Sequence, residues 1–410
     1  MVRDEAPFPG YGHGSSGYRR ILAALACAGV ATFAQLYSLQ GLLPLISRDL
    51  GVSASQASLV ISVATLGLAA AVLPWSFVAD RWGRVRTMGL AIALATVFGL
   101  LVPAAPTFEV LLVLRTLEGA ALGGIPALAM AYLNEEISPV HAGAAAGAYV
   151  AGTSLGGLSG RLLAGPVADL ADWRMATLAV SATGAAAAAG FLWLAPRPQG
   201  FRPVTGAGFT DMLARLLPPL RSKPLLALYA QAFLLMGSFV SVYNYLGFRL
   251  EAPPYLLPAT AVALIFLAYL AGTVSSRAVA GLAGRFGRRT VLLASIALMV
   301  SGLAVTLAAA LPVILLGLVL FTAGFFGAHS IASGWTGSMA ATGRAQAASL
   351  YNLSYYAGSS VVGWSAGLIF QSLGWPALVG ALTVLAAIAA AMAARMLPTG
   401  RAAPPASASR

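Results

Sequence analysis

Twelve apolar runs, each close to twenty residues long, set the terms for any fold of this chain. They fall at about 21–46, 56–79, 87–105, 108–133, 142–166 and 173–194, then at about 224–248, 257–280, 290–310, 312–335, 345–370 and 375–397. About 20 apolar residues in a helix match the hydrocarbon thickness of a bilayer. The runs lack the strict alternation of barrel strands, and a helix satisfies its own backbone groups in lipid. Only 9% of the residues are charged, against about 25% in soluble domains. The expected class is an all-α integral membrane protein with twelve transmembrane helices.

The polar gap 195–223 holds Arg197, Arg202, Arg215, Arg221 and Lys223 and the stretch FTDMLARLLPPL. It predicts a linker with a short amphipathic helix on the membrane surface. The linker separates a first six-helix bundle, 21–194, from a second, 224–397, and leaves tails at 1–20 and 398–410. The first twenty residues read as a disordered tail. The run after them is too long for a signal-peptide core and is expected to stay as the first helix.

Positive charge sets the orientation. With the N-terminus inside, nineteen of the 24 Lys and Arg residues fall in inside segments, while Arg48, Arg174 and Arg249 fall outside. Both termini are therefore expected in the cytoplasm, in a multi-pass protein of a bacterial inner (plasma) membrane. The same bias accounts for the net charge of +12 without a nucleic-acid partner. Cys27, the one cysteine, rules out an intrachain disulfide and reads as a packed small residue.

The two halves repeat each other. ADRWGRVR, Ala79–Arg86, returns as AGRFGRRT, Ala283–Thr290, 204 positions later, and Tyr149 and Trp173 return as Tyr351 and Trp375, 202 later. The tryptophans read as interfacial anchors. Two pseudo-symmetric six-helix bundles with matching basic loops form a transporter architecture, whose binding site is expected near the midplane.

The stretch SFVADRWGRVR resembles the loop signature of the major facilitator superfamily, G-x-x-x-D-R-x-G-R-R. Asp80, Arg81, Gly83 and Arg84 match it, while Ser76 replaces the leading glycine and Gly284 replaces the acid in the second copy. Gly83 permits a tight turn, and Asp80 and Arg84 can form charge-assisted bonds. Glu135 and Glu136, at the end of the fourth run, are candidate partners for the arginine cluster. The resemblance implies the major facilitator fold and a gating network of Asp80, Arg81, Gly83, Arg84, Glu135, Glu136, Arg285 and Arg288 that latches the outward-open state. The alternative is that these charges only set topology.

Within the fourth run, LRTLEGAALGG resembles the superfamily's motif with an intramembrane arginine, which is associated with proton coupling. Arg115 matches the arginine, and Gly119 and Gly123 its small face. A lone charge in a bilayer interior costs about 2.5–3.5 kcal/mol or more. Arg115 and Glu118 share a helix face at i and i+3. Arg115 and desolvation act on Glu118 in opposite senses, so its proton affinity would swing with hydration. Glu118 is the expected proton carrier and Arg115 its tuner; a purely structural ion pair is the alternative.

The fifth run, GTSLGGLSGRLLAGP, keeps the spacing of the superfamily's antiporter motif at Gly152, Gly156 and Gly160, with Gly157 in place of proline and Arg161 in place of the last glycine. Such a face lets helices approach closely, here predicted for the fifth helix against the eighth, where Gly272 and Ser276 repeat the spacing. Arg161 is assigned to the substrate cavity, with Asp169 or a substrate carboxylate as its partner. Gln35, Gln40, Tyr243, Asn244, Tyr245, His329, Asn352, Tyr355 and Tyr356 complete that cavity with Arg115, a lining suited to an amphipathic or hydroxylated solute. Each aromatic side chain can equally serve core packing, and His329 can be a titrating group or a packed histidine.

GIPALAMAYLNEE, SGRLLAG, VYNYLGFRL and GRAQAASLYNLSYYAGSS are similar to the YnfM-like bacterial permeases of the arabinose and drug efflux branch. No catalytic, phosphate-loop or metal-ligand constellation is present, so neither an enzyme nor a cofactor is expected. The expected function is secondary active transport: proton-coupled efflux of a small drug-like or sugar-like solute, by alternating access, in a functional monomer. The alternatives are an uncoupled facilitator, an uptake symporter, or a non-transporting membrane sensor on the same fold.

Overall fold

A computed structural model describes residues 8–201, 216–340 and 343–399, and among them the regular structure is helical apart from one isolated bridge, Tyr11 with Ile137. Most of the predicted amphipathic linker helix lies outside the described residues; Leu217–Leu220 forms one short turn of helix. The first half contains α1 (Ser16–Leu50), α2 (Ala54–Trp82), α3 (Arg84–Ala104), α4 (Phe108–Glu136), α5 (Pro139–Leu170) and α6 (Trp173–Leu194). The second contains α7 (Lys223–Glu251), α8 (Ala259–Phe286), α9 (Arg288–Val305) and α10 (Leu311–Met339). It ends in a continuous stretch, Arg344–Met396, that Gly374 (φ 77°) breaks into α11 (344–373) and α12 (375–396). Ten stretches, with α11 and α12 taken together as Arg344–Met396, are apolar enough to cross a membrane by hydropathy; α5 is not among them. The glycines of α5 lower its hydropathy, yet its 32 residues exceed the ~20 a crossing needs.

Local signals explain the boundaries. Ser15 caps α1 by accepting the Tyr18 N–H, so the helix begins at Ser16, ahead of the predicted start at 21. Part of the tail predicted as disordered is docked: the Tyr11 N–H donates to Glu136 O at 2.7 Å, and the Ser138 N–H donates to Tyr11 O at 3.2 Å. Thr107 and Asp172 cap α4 and α6 through the Val110 and Met175 N–H groups. Gly83 and Gly287, at φ 91° and 86°, make the turns from α2 to α3 and from α8 to α9. A side chain would strain both, so the repeated loop keeps its glycine where the backbone needs it.

The chain forms two compact units. The first comprises Met1–Gly51, Leu59–Ala207 and Pro258–Ala263; the second comprises Val52–Ser58, Gly208–Leu257 and Leu264–Arg410. In the first unit the glycine face of α5 packs on α1, where Cβ atoms at Gly156 and Gly160 would lie 2.6 Å from Val30 Cα and from Ala34 O. This corrects the prediction that Gly152, Gly156 and Gly160 face the eighth helix. Gly272 of α8 instead abuts Phe326 of α10. Small residues on α5 meet small residues on α1 because backbone contact there replaces side-chain packing.

The second unit repeats the arrangement. A Cβ at Gly358 of α11 would stand 2.1 Å from Phe233 O of α7, so α7 lies on α11 as α1 lies on α5. The repeated tryptophans are buried, not interfacial. Trp173 donates to Asp49 Oδ2 at 2.9 Å and Trp375 to Thr306 Oγ1 at 3.2 Å. Each indole N–H finds a partner inside its own unit, which removes the reason for it to seek the lipid headgroups.

Candidate functional site

The site grows from a break in α1. Helical geometry stops at Leu36, a 3₁₀ turn runs from Ser38 to Leu42, and helix resumes at Leu43 with Pro44 at its start. Helical bonding ends at Leu36, so the last carbonyls of the first segment lack their usual i+4 N–H partners; the Tyr37 N–H and the Ser38 hydroxyl turn back to Gln35 O, the hydroxyl at 2.9 Å. Arg115 of α4 adds further donors. It donates to Leu36 O at 2.6 Å, to Gln35 O at 3.2 Å and to Val60 O of α2 at 3.2 Å. The remaining bond from Nη1 goes to Glu118 Oε2 at 2.6 Å. Both side chains are 1% exposed. The contact is the one the i, i+3 spacing predicts. The carbonyls were missed, although Pro44 inside an apolar run was a signal for the break. A cation at a helix C-terminus also complements the macrodipole.

The face carrying Arg115 is held by close approach. Cβ atoms at Gly119 and Gly123 would stand 2.0 Å from Ala64 O and 2.6 Å from Leu68 O, so α4 touches the α2 backbone. Trp75 of α2 donates to Ala120 O at 2.8 Å.

At the basic loop Arg84 donates to Asp80 Oδ1 at 2.7 Å and to Glu135 Oε1 at 2.9 Å. The Phe201 ring lies 5.7 Å from its guanidinium. Glu136 is not part of this cluster, which corrects the sequence expectation. It turns the other way, and its Oε1 accepts the Gln199 and Gly200 N–H groups at 2.8 and 2.7 Å. Neighbouring helix positions point about 100° apart, so Glu135 and Glu136 cannot both face Arg84. Arg81 lies over the Phe77 ring at 3.7 Å. In the second loop Arg285 lies over Phe286 and Arg288 donates to Ser338 Oγ.

Arg161 of α5 is buried beside the same α1 break. Nε and Nη2 both donate to Gln40 Oε1, at 3.2 and 2.8 Å, Nη1 donates to Gly157 O at 2.8 Å, and the Tyr37 ring lies 4.8 Å from the guanidinium. Asp169, proposed from sequence as its partner, instead accepts the Ala259 and Thr260 N–H groups at 2.9 and 2.8 Å. It lies eight residues along α5, more than two turns from Arg161, and caps the nearer helix start.

In the second unit His329 of α10 meets α11: Tyr351 Oη is 3.0 Å from His329 Nδ1, and the Tyr355 ring is 4.9 Å from the imidazole. Tyr356 packs edge-on against Tyr355 at 5.2 Å. Asn352 is exposed and Tyr355 and Tyr356 are half-buried. Tyr243, Asn244 and Tyr245 are buried. Tyr243 Oη pairs with Thr322 Oγ1 at 2.8 Å, and Tyr245 Oη donates to Gly363 O at 2.7 Å. Among the described residues no group of three or more His, Cys, Asp or Glu side chains could hold a metal ion.

Residues 25–280 match the Major Facilitator Superfamily family model. The chain belongs to the major facilitator superfamily. Relatives within the superfamily cover nearly the whole chain. The MFS-type transporter YybF of Bacillus subtilis is 37% identical over 92% of this chain and 93% of its own length. The inner membrane transport protein YnfM of Escherichia coli is 38% identical over 93% of this chain and 92% of its own length. The solved structure of a bacterial homolog of the human lysosomal transporter Spinster, 17% identical, aligns with a TM-score of 0.75 over 93% of this chain and 97% of that one. That likeness shows the fold alone. The family match and the two relatives make this chain a multi-pass membrane transporter, with its helices in a lipid bilayer.

Proposed function

We propose that the chain is a proton-coupled efflux transporter for a small drug-like or sugar-like solute, working by alternating access as a monomer with both termini in the cytoplasm. Glu118 carries the proton and Arg115 tunes it. One observation carries the reading. Arg115 keeps three main-chain carbonyls that do not depend on Glu118, so a proton can join Glu118 without leaving a buried cation stranded. Asp80, Arg84 and Glu135 act as the latch. In the second unit, Asn352, Tyr355 and Tyr356 beside His329 offer polar and aromatic contacts to the solute; in the first unit, Arg161 offers a cation.

The test is flux in proteoliposomes from a solute panel, read with proton release. Export driven by an inward proton gradient, and lost in Glu118→Gln, is the expected result. Proton-driven flux that survives Glu118→Gln removes the carrier assignment. Flux indifferent to the gradient indicates a facilitator, and solute entering with protons an uptake symporter. Asp80→Asn is expected to change the inward/outward balance in spin-label distance measurements; an unchanged balance removes the latch.

A further inference from the structure

Glu118 spends only one carboxyl oxygen, Oε2, on Arg115. Its Oε1 and the side-chain oxygen of Gln35 on α1 both border Gly99. Gly99 of α3 makes room for both: a Cβ there would be 2.4 Å from Gln35 Oε1 and 3.1 Å from Glu118 Oε1. Gln35 is 1% exposed, and its Oε1 is a buried acceptor to which no protein group donates. Turning the amide over does not help. Its Nε2 donates to Ala31 O at 2.7 Å, and the reversed amide would set two acceptors against each other there. Gly184 of α6 leaves the space Nε2 occupies, 2.6 Å from where its own Cβ would stand.

A buried acceptor without a donor is costly, and of the groups that border the same Gly99 position as Gln35 Oε1 the Glu118 carboxyl becomes a donor by taking up a proton. The geometry points to a protonated Glu118 whose Oε1–H donates to Gln35 Oε1, making Gln35 the positioning residue for the proton-loaded carboxyl. Glu118 then has a partner in each state. Ionised, it keeps the charge-assisted bond to Arg115 through Oε2; protonated, it adds the bond to Gln35 through Oε1. On release the O–H bond breaks, the electron pair stays on the carboxylate and the proton leaves to water. The groups facing the carboxyl are Arg115 on its own helix, Gln35 on α1, Gly99 on α3 and the Ser181 hydroxyl on α6, which itself donates to Gly99 O. Arg115 is the one charged group among them.

This assigns regulation to the site proposed above and rests on that reading for its role in transport. Its test needs neither solute nor gradient. Infrared spectra of the purified full chain at neutral pH are expected to show the C=O stretch of a protonated carboxyl that disappears in Glu118→Gln. In Gln35→Leu the band moves to higher frequency, because the hydroxyl loses its acceptor. Gln35→Met, of similar length and also without an oxygen, repeats the measurement if the leucine variant does not elute as a single species. Absence of the band in the wild-type chain overturns the proposal, and so does a band whose frequency is the same in both Gln35 variants. Transport that stays proton-driven in Glu118→Gln removes the coupling role but leaves this assignment standing.

Discussion

Arg161 and Gln40 are joined by two hydrogen bonds to one oxygen, Nε at 3.2 Å and Nη2 at 2.8 Å from Gln40 Oε1. The pair links α5 to the 3₁₀ turn of α1 and places a cation where an amide supplies the acceptor. Hydrogen bonds to a charged group contribute about 1.5–3 kcal/mol. Gln40→Leu is therefore expected to lower thermal stability in detergent by about that amount, while Gln40→Glu, which keeps an acceptor oxygen in place, retains most of it. Differential scanning fluorimetry of the two variants against the parent chain checks the order.

Arg115 and Glu118 are unequal partners. Removing the arginine leaves the buried Glu118 carboxyl without its partner and takes a donor from each of three main-chain carbonyls, of which Gln35 O keeps the Ser38 hydroxyl, a loss of about 3–5 kcal/mol by the general behaviour of broken buried pairs. Removing the charge from Glu118 leaves Arg115 with those carbonyls. Arg115→Met is thus expected to melt well below Glu118→Gln. Equal melting temperatures would show that the carbonyls contribute little to holding the cation.

Glu136 fastens the start of the linker through the Gln199 and Gly200 N–H groups. In Glu136→Ala these amides lose their acceptor, and their hydrogen exchange is expected to speed up by about tenfold or more. Peptide-resolved mass spectrometry reads this directly. Glu135→Gln, which weakens only the bond to Arg84, should leave exchange at Gln199 and Gly200 unchanged.

The glycines of α4 and α5 divide into contacts and open positions. A methyl at Gly119 would meet Ala64 O at 2.0 Å, whereas one at Gly147 meets nothing within 4 Å. Gly119→Ala is expected to destabilise by about 1–3 kcal/mol through overpacking. Gly147→Ala should be neutral or stabilise by about 0.5–1 kcal/mol through helix propensity. Opposite shifts in melting temperature would bear out the division.

Much of the molecule is legible without coordinates. The lengths of the apolar runs dictate membrane helices, because hydropathy and backbone satisfaction act within one segment. The offset between ADRWGRVR and AGRFGRRT reveals the internal repeat. The glycine of each loop survives in both copies because a positive φ is a local demand. The i, i+3 spacing alone brings Arg115 to Glu118. The partners of Glu136, Arg161, Trp173 and the α5 glycines are not legible in this way. Which helix meets the α5 face, and which acceptor lies nearest Arg161, depend on contacts between segments far apart in the chain. The break ahead of Pro44 is written in the sequence, but only packing brings Arg115 to the Gln35 and Leu36 carbonyls that end the first segment. Local chemistry thus determined the segments, their turns and the intrahelical ion pair. The tertiary structure decided which buried polar group each remaining charge must satisfy, because that choice is settled by distance in space.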